Sequence, residues 1–512
     1  MQGKRKRTRR VRQQTRSVPP LVSIPFQTLQ NPYAPLEILT ADQIEIIHQT
    51  SLQVLEEVGV EFLDKETLDI WQSAGAIVDW DQQRVRIEAQ MVEEALKTIP
   101  SSFTLKARNP EKNLVMGGNH INFATVGSPP YYSDMVRGRQ PGSMETYQQM
   151  VRLAQICSPI HLIEAMLLEP QDIPIPQRHL EKTYAVYTLS DKANLMSSHG
   201  REIAQDQVNM ASIVFGGEEE IRRTPVFASV VNANSPLRYD ERMLGALLTY
   251  ARYNQPVVIT PFILAGAMSP ISLPSALMQQ NVEILAGLTL MQIVNPGAPL
   301  VYGGFSTNID MHTGSPAFGG PEGAQALLCG AQMARYYNLP YRGSGGLNNS
   351  KIPDAQAAYE TQMVLWPAVL AHTNLLLHSA GWLEAGLVCS LEKFIIDVEG
   401  LAMMSRFLRG MEINPETLAV DEIAAVGPGG HHFGTEYTLA RYQDEFYLPS
   451  ISDRSNFETW TEHGAKDAYQ RAHEVAHQLL ETYQQPALDS AVHDELFKYV
   501  ERRKTESTVT YT

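Results

Sequence analysis

Only three cysteines, Cys157, Cys329 and Cys389, occur among 512 residues, and no two are close along the chain. That excludes a disulfide framework and a thiolate zinc site with short ligand spacing; the three read as small buried hydrophobes. Long apolar runs are missing as well. Stretches such as 299–305 break at glycines and polar residues well short of the roughly 18 to 20 residues that cross a bilayer. Acidic residues are absent from the first sixteen positions, which carry eight Lys or Arg, although the whole chain has a net charge of −15. A body this acidic repels nucleic acid and anionic lipid, so the basic segment reads as a solvated, disordered tail. No apolar stretch follows its paired arginines, which argues against secretory and twin-arginine signals and for a cytoplasmic protein. A Walker loop, a G-x-S-x-G elbow and a glycine-rich dinucleotide fingerprint after the first expected strand are also wanting.

What is present is an alternation. Thr40 is placed to cap a helix carrying Ile44, Ile47, Leu52 and Leu55 on one face. Two more helical stretches follow, near 64–74 and 88–99. Short β-rich runs are expected at 121–125, 160–165, 194–198, 226–231, 257–262, 300–305, 341–344 and 374–379, with amphipathic segments at 181–189, 240–253, 276–293, 322–337, 354–370 and 391–409. Eight strand-then-helix units over about 290 residues, with strands apolar enough to be buried on both faces, predict an α/β chain of the (β/α)8 TIM-barrel class rather than a doubly wound open sheet. The expected organisation is a basic disordered tail (1–30), an N-terminal helical cap (31–115), the catalytic TIM barrel (116–410) and a C-terminal α-rich extension ending in a docking helix (411–512).

Barrel enzymes carry their chemistry at the C-terminal ends of the strands. That rim here contains Tyr131, Tyr132, His199, Phe262, Phe305, the segment from Arg342 to Lys351, His378 and Trp382: aromatics, amides and glycines with few acids. Aromatic faces attract a quaternary ammonium by about 0.5 to 2 kcal/mol per contact. A betaine's carboxylate would be received by Arg342, by Lys351 or by backbone amides of the glycine-rich turn 343–346. A rival motif is His473-Glu474-Val475-Ala476-His477, which fits the HExxH zinc-peptidase pattern, with His493, Glu495 and Glu501 as candidate third ligands. It lies beyond the barrel on a polar helix, so zinc hydrolysis stands second to barrel chemistry, and no metal is expected. A barrel that binds a betaine without turnover is the remaining alternative.

Several segments in order, LAGAMSP at 264–270, QNVEILAG at 280–287, PGAPLVYG at 296–303, SKIPDAQAAYE at 350–360, GPGGHHF at 427–433 and Asp453-Arg454, make the chain resemble the trimethylamine methyltransferase family from about residue 36 to about residue 480. The resemblance implies a TIM barrel that presents a methylated amine to a separate corrinoid protein, with no permanently bound cofactor and with self-association into a homo-oligomer. Founding members carry pyrrolysine near the end of the seventh strand; here 345–351 are standard residues, with Asn348 at the aligned position. Relatives without pyrrolysine act on quaternary amines, which leave as neutral amines and need no general acid. The expected site therefore has Tyr131, Tyr132, Phe305 and Trp382 enclosing the ammonium, Arg342 or Lys351 on a carboxylate, and His199, Asn348 and His378 orienting the substrate. Gly429, Gly430, His431 and His432 face the corrinoid partner or the barrel mouth.

Overall fold

The structure, a computed structural model, describes residues 20–507 and Val509. Most of the basic tail, residues 1–19, lies outside the described residues. Its last part does not fit the expectation of disorder to residue 30: Pro20–Ser23 is helical and Leu29–Gln30 is a strand.

Eight short strands organise the chain: β1 (His120–Phe123), β2 (Leu162–Glu164), β3 (Ala193–Met196), β4 (Ala228–Ala233), β5 (Val257–Pro261), β6 (Leu300–Gly303), β7 (Tyr341–Ser344) and β8 (Leu375–Leu377). With Leu29–Gln30 they form one curled sheet of nine, in the order Leu29–Gln30, β1, β8, β7, β6, β5, β4, β3, β2. Every pairing among the eight is parallel, and Leu29–Gln30 runs antiparallel to β1. The curl brings β2 beside β1: Ala124 and Leu162 form a parallel bridge, and the His161 amide donates to the Phe123 carbonyl at 2.9 Å.

After each strand comes a helix: α1 (Met144–Ile156), α2 (Ile175–Leu189), α3 (Arg201–Phe215), α4 (Glu241–Arg252), α5 (Leu273–Val294), α6 (Pro321–Tyr336), α7 (Ala355–Leu370) and α8 (Leu391–Phe407). Local chemistry starts several of them. Ser143, Asp240, Asp354 and Ser390 cap α1, α4, α7 and α8 through side-chain oxygens, and Pro321 opens α6, where a missing amide costs nothing. Helix α5 is buried over most of its circumference because the N-terminal helices Ala41–Glu57 and Ala89–Thr98 cover its outer side. That N-terminal region is not purely helical: Val60–Phe62, Ile77–Asp79 and Arg84–Arg86 make a small sheet with Arg238–Tyr239.

Inside the curl, Leu162, Leu195, Val258, Val301 and Leu375 pack with Leu105, Leu114 and Met116 from the hairpin of Ser102–Leu105 and Leu114–Gly117. The hairpin fills the end where the strands begin, which leaves the end where they finish open. At the C-terminus, Ala468–Glu481 lies on α8, and Ser490–Glu506 lies on α2 and α3. Asp206 ties the last helix down: it accepts from Arg503 and from the Tyr499 hydroxyl, both at 2.7 Å, and pairs with His179 at 2.8 Å. Between α8 and those helices, residues 411–450 contain no buried residue. No helix of the described residues is long and apolar enough to cross a membrane.

Candidate functional site

A cavity of about 780 Å³ opens where the strands end. Its wall is built from residues at or just past the strand termini: Gly127 after β1, Glu164 on β2, Met196 and His199 at β3, Val230 and Asn232 on β4, Phe262 after β5, Phe305 after β6, Arg342 on β7, and His378 and Trp382 after β8. Short, mostly buried strands fix these positions, so the lining side chains inherit the rigidity of the sheet.

One wall is aromatic. The Phe262 and Phe305 centroids are 5.0 Å apart; Phe318 stacks on Phe305 at 5.6 Å with planes 13° apart, and Trp382 meets Phe318 edge-on at 5.4 Å. Arg342 lies against this wall, its guanidinium carbon 4.8 Å from the Phe305 ring centre, and is almost wholly buried. Nη1 donates to the Gly304 carbonyl at 3.0 Å, and Nε has no hydrogen-bond partner among the described residues. Burial lowers its pKa only to about 10, so it is a cation at neutral pH. His378, with φ of 56°, sits 4.6 Å from Trp382 and shares a hydrogen bond with Ser344 Oγ at 3.1 Å. Burial, with Arg342 adding to it, holds its pKa well below the usual range, which leaves the ring neutral. His199, joined to Ser197 Oγ at 2.8 Å, is also depressed, chiefly by burial.

The opposite side is charged. Glu169 is neutralised by Lys182 at 2.7 Å and Arg178 at 3.3 Å. Glu164 is different: its carboxylate accepts no hydrogen bond among the described residues, Oε2 is fully enclosed, and burial pushes its pKa from 4.5 to about 7 against the pull of Arg342 and Lys182.

Of the residues expected from sequence, Phe305, Arg342, Trp382, His199 and His378 line this cavity together. Asn348 lies behind it, fully buried: Nδ2 donates to the Trp382 carbonyl at 2.6 Å and its own carbonyl accepts from the indole Nε1 at 3.1 Å. Tyr131 and Tyr132 are not among the lining residues. They belong to a strand, Tyr131–Asp134, of a second small sheet; Tyr131 carries Arg139 on its face at 3.5 Å, and the buried Tyr132 bonds Gln149 at 3.2 Å. Lys351 is exposed and donates to the Asn349 carbonyl at 2.8 Å. Gly429, Gly430, His431 and His432 are exposed within 411–450, where His432 meets Glu422 at 3.3 Å. Reading strand termini missed Glu164 and Phe318. Glu164 could have been found as the one acid closing an apolar run, Leu162-Ile163-Glu164-Ala165; Phe318, in the loop between β6 and α6, had no comparable signal. In the HExxH helix, His473 Nδ1 bonds the buried Glu392 at 2.7 Å and Glu474 pairs with Lys466, so the motif serves packing against α8. No three His, Cys, Asp or Glu side chains converge as a metal set among the described residues.

Sequence comparison speaks to the same residues. The profile of the family described as trimethylamine methyltransferase (MTTB) matches residues 4–508. The chain belongs to that family. Among its relatives, the glycine betaine methyltransferase of Desulfitobacterium hafniense strain Y51 is 40% identical over 469 residues, covering 92% of this chain and 97% of that protein. The trimethylamine methyltransferase MttB of D. hafniense strain DSM 10664 / DCB-2 is 31% identical over 472 residues, covering 91% and 93%. The monomethylamine methyltransferase of Methanosarcina barkeri, at 10% identity, superposes with a TM-score of 0.51 over 91% of both chains, a likeness of fold alone.

Proposed function

We propose that this family member is a methyltransferase that moves a methyl group from a betaine-like quaternary amine to the Co(I) corrinoid of a partner protein. The observation that carries the reading is a buried cationic arginine set into an aromatic wall: Phe262, Phe305, Phe318 and Trp382 for a methylated ammonium, Arg342 for a carboxylate. The C–N bond breaks with its electron pair remaining on nitrogen, which leaves as a neutral tertiary amine; the corrinoid, as co-substrate, supplies the electron pair that bonds the methyl carbon. The protein's own work is to hold one methyl toward the mouth, with neutral His199 and His378 orienting the substrate and apolar walls excluding water. The relative named as a glycine betaine methyltransferase supports the choice of substrate. The test offers glycine betaine, proline betaine, carnitine, choline and trimethylamine to the protein with Co(I)-cobalamin or a cognate corrinoid protein under anoxic conditions, following methyl-Co(III) by absorbance. Turnover confined to betaines is expected; turnover of trimethylamine alone, or none, rejects the reading.

The bridge between Ala124 and Leu162 supports a closed (β/α)8 TIM barrel, and three buried, unpaired cysteines suit a reducing cytoplasm. The chain also works as a homo-oligomer in this reading. Residues 411–450 expose Met411, Ile413, Leu418, Val420, Ile423, Phe433, Leu439, Tyr442, Phe446 and Leu448, and Tyr359, Met363 and Trp366 on α7 and Phe407 on α8 are exposed as well. Ten such side chains present apolar area on the order of 1,000 Å², against the roughly 800 Å² per partner of a stable interface. A second copy offers the same apolar stripe in return. Light scattering is expected to give more than one chain per particle, and Phe446→Glu with Trp366→Glu to shift it to the monomer mass.

A further inference from the structure

We propose that Glu164 is the counter-charge for the substrate's quaternary nitrogen, so that the cavity reads a zwitterion with two groups, Glu164 for the ammonium and Arg342 for the carboxylate. The inference rests on the substrate class argued above and adds to it the anionic half of the site.

A buried carboxylate without hydrogen bonds is unfavourable unless something compensates it. Other acids in this fold are compensated: Glu169 by Lys182 and Arg178, Asp206 by Arg503 and Tyr499. Glu164 makes no ion pair with any described residue, not even Arg342 across the same cavity, while Nε of Arg342 lacks a partner too. Two opposite charges in one cavity, neither ion-paired among the described residues, match a ligand that carries both.

The loop after β1 is shaped around the carboxylate. A Cβ on Gly127 would lie 2.1 Å from Glu164 Oε2, and Gly127 is not in the left-handed region, so any side chain there would have to push the carboxylate from its place. The same segment holds the Glu164 backbone, because the Thr125 hydroxyl, two residues past β1, accepts from its amide at 3.0 Å. The carboxylate is therefore held in place without being neutralised.

Its protonation follows. Arg342 on β7 and Lys182 on α2 favour the ionised form, burial opposes it more strongly, and the balance lies at about 7. The other charged or titratable groups on the cavity wall are Glu169, Arg178, His199, Arg242 and His378. A bound ammonium favours the ionised carboxylate. Binding therefore releases a proton near neutrality, and affinity rises with pH through 7 and then levels.

The experiment is calorimetry on the full chain, without corrinoid, at pH 6 to 8.5 in two buffers of different ionisation heat. The probes are glycine betaine and 3,3-dimethylbutanoate, which has the same shape and carboxylate but no positive charge. Wild-type protein is expected to prefer glycine betaine by about 10- to 100-fold and to release about half a proton at pH 7. Glu164→Gln is expected to abolish the release and to bring the two ligands within about threefold. Glu164→Asp, which restores the charge, is expected to regain the release. Wild-type binding without proton release, a preference that survives Glu164→Gln, or no betaine binding overturns the proposal. Because cobalt is absent, failure of methyl transfer with intact proton-linked binding would count against the proposed reaction and not against Glu164.

Discussion

Replacing Arg342 with methionine is expected to lower kcat/KM for glycine betaine by about 10²- to 10³-fold, while binding of tetramethylammonium measured at pH 8.5 stays within about tenfold of wild type. The first figure follows from removing one partner of a desolvated, charge-assisted contact, about 3 to 4 kcal/mol. Tetramethylammonium has no carboxylate to lose. The choice of pH matters because Arg342 is one of the two cations that hold Glu164 ionised. Without it the Glu164 pKa rises further above 7, so at neutral pH the variant weakens binding of every cation, and only at higher pH is the loss confined to the carboxylate. The variant should fold. Methionine fills much of the buried volume, Glu164 can relieve its isolation by taking a proton, and the lost contact to the Gly304 carbonyl costs about 1 kcal/mol. Equal losses for both ligands at pH 8.5 would mean that Arg342 shapes the cavity rather than reading a carboxylate.

Burial decides what could be read from the sequence. The eight strands lie where apolar runs predicted them because a parallel sheet covered on both faces tolerates little else, and β7 coincides with 341–344 residue for residue. Helices α1 and α3 are both absent from the expected segments; α3 starts from Gly200, at φ of 106°, with no side-chain cap to mark it, whereas the Ser143 cap of α1 was there to be read. At the site, residues just past a strand end were legible because strand ends position them, as Phe305, His378 and Trp382 show. Tyr131 and Tyr132 were not, because they are neighbours on a strand of a different sheet. Adjacent strand residues point to opposite faces, so no arrangement of that strand turns both rings toward one ligand. Glu164 offered one sequence signal, a lone acid in an apolar run, but such a run reads as strand before it reads as site. Its missing partners are visible only in three dimensions.

Trp382→Ala is expected to weaken tetramethylammonium binding by about 10- to 100-fold, from the cation–π contact and the lost packing together. Turnover should fall further than binding, because an ammonium with one open side no longer holds a single methyl toward the mouth. Asn348 separates these two effects. It does not line the cavity, but it clasps Trp382 at both ends, through the backbone carbonyl and through the indole nitrogen. Gly386 packs against the indole from beneath, where a Cβ would come within 2.6 Å of the ring. Asn348→Ala keeps the main-chain carbonyl that accepts from the indole but leaves the Trp382 carbonyl unpaired in a buried setting, which loosens the tryptophan's backbone. Asn348→Asp keeps the shape but removes the donating amide, so both should reduce kcat by about tenfold or more with little change in affinity. If Asn348→Asp behaves like wild type, the clasp is not what holds the ring. If Asn348→Ala weakens binding as much as Trp382→Ala does, Asn348 acts on the substrate itself rather than through the tryptophan.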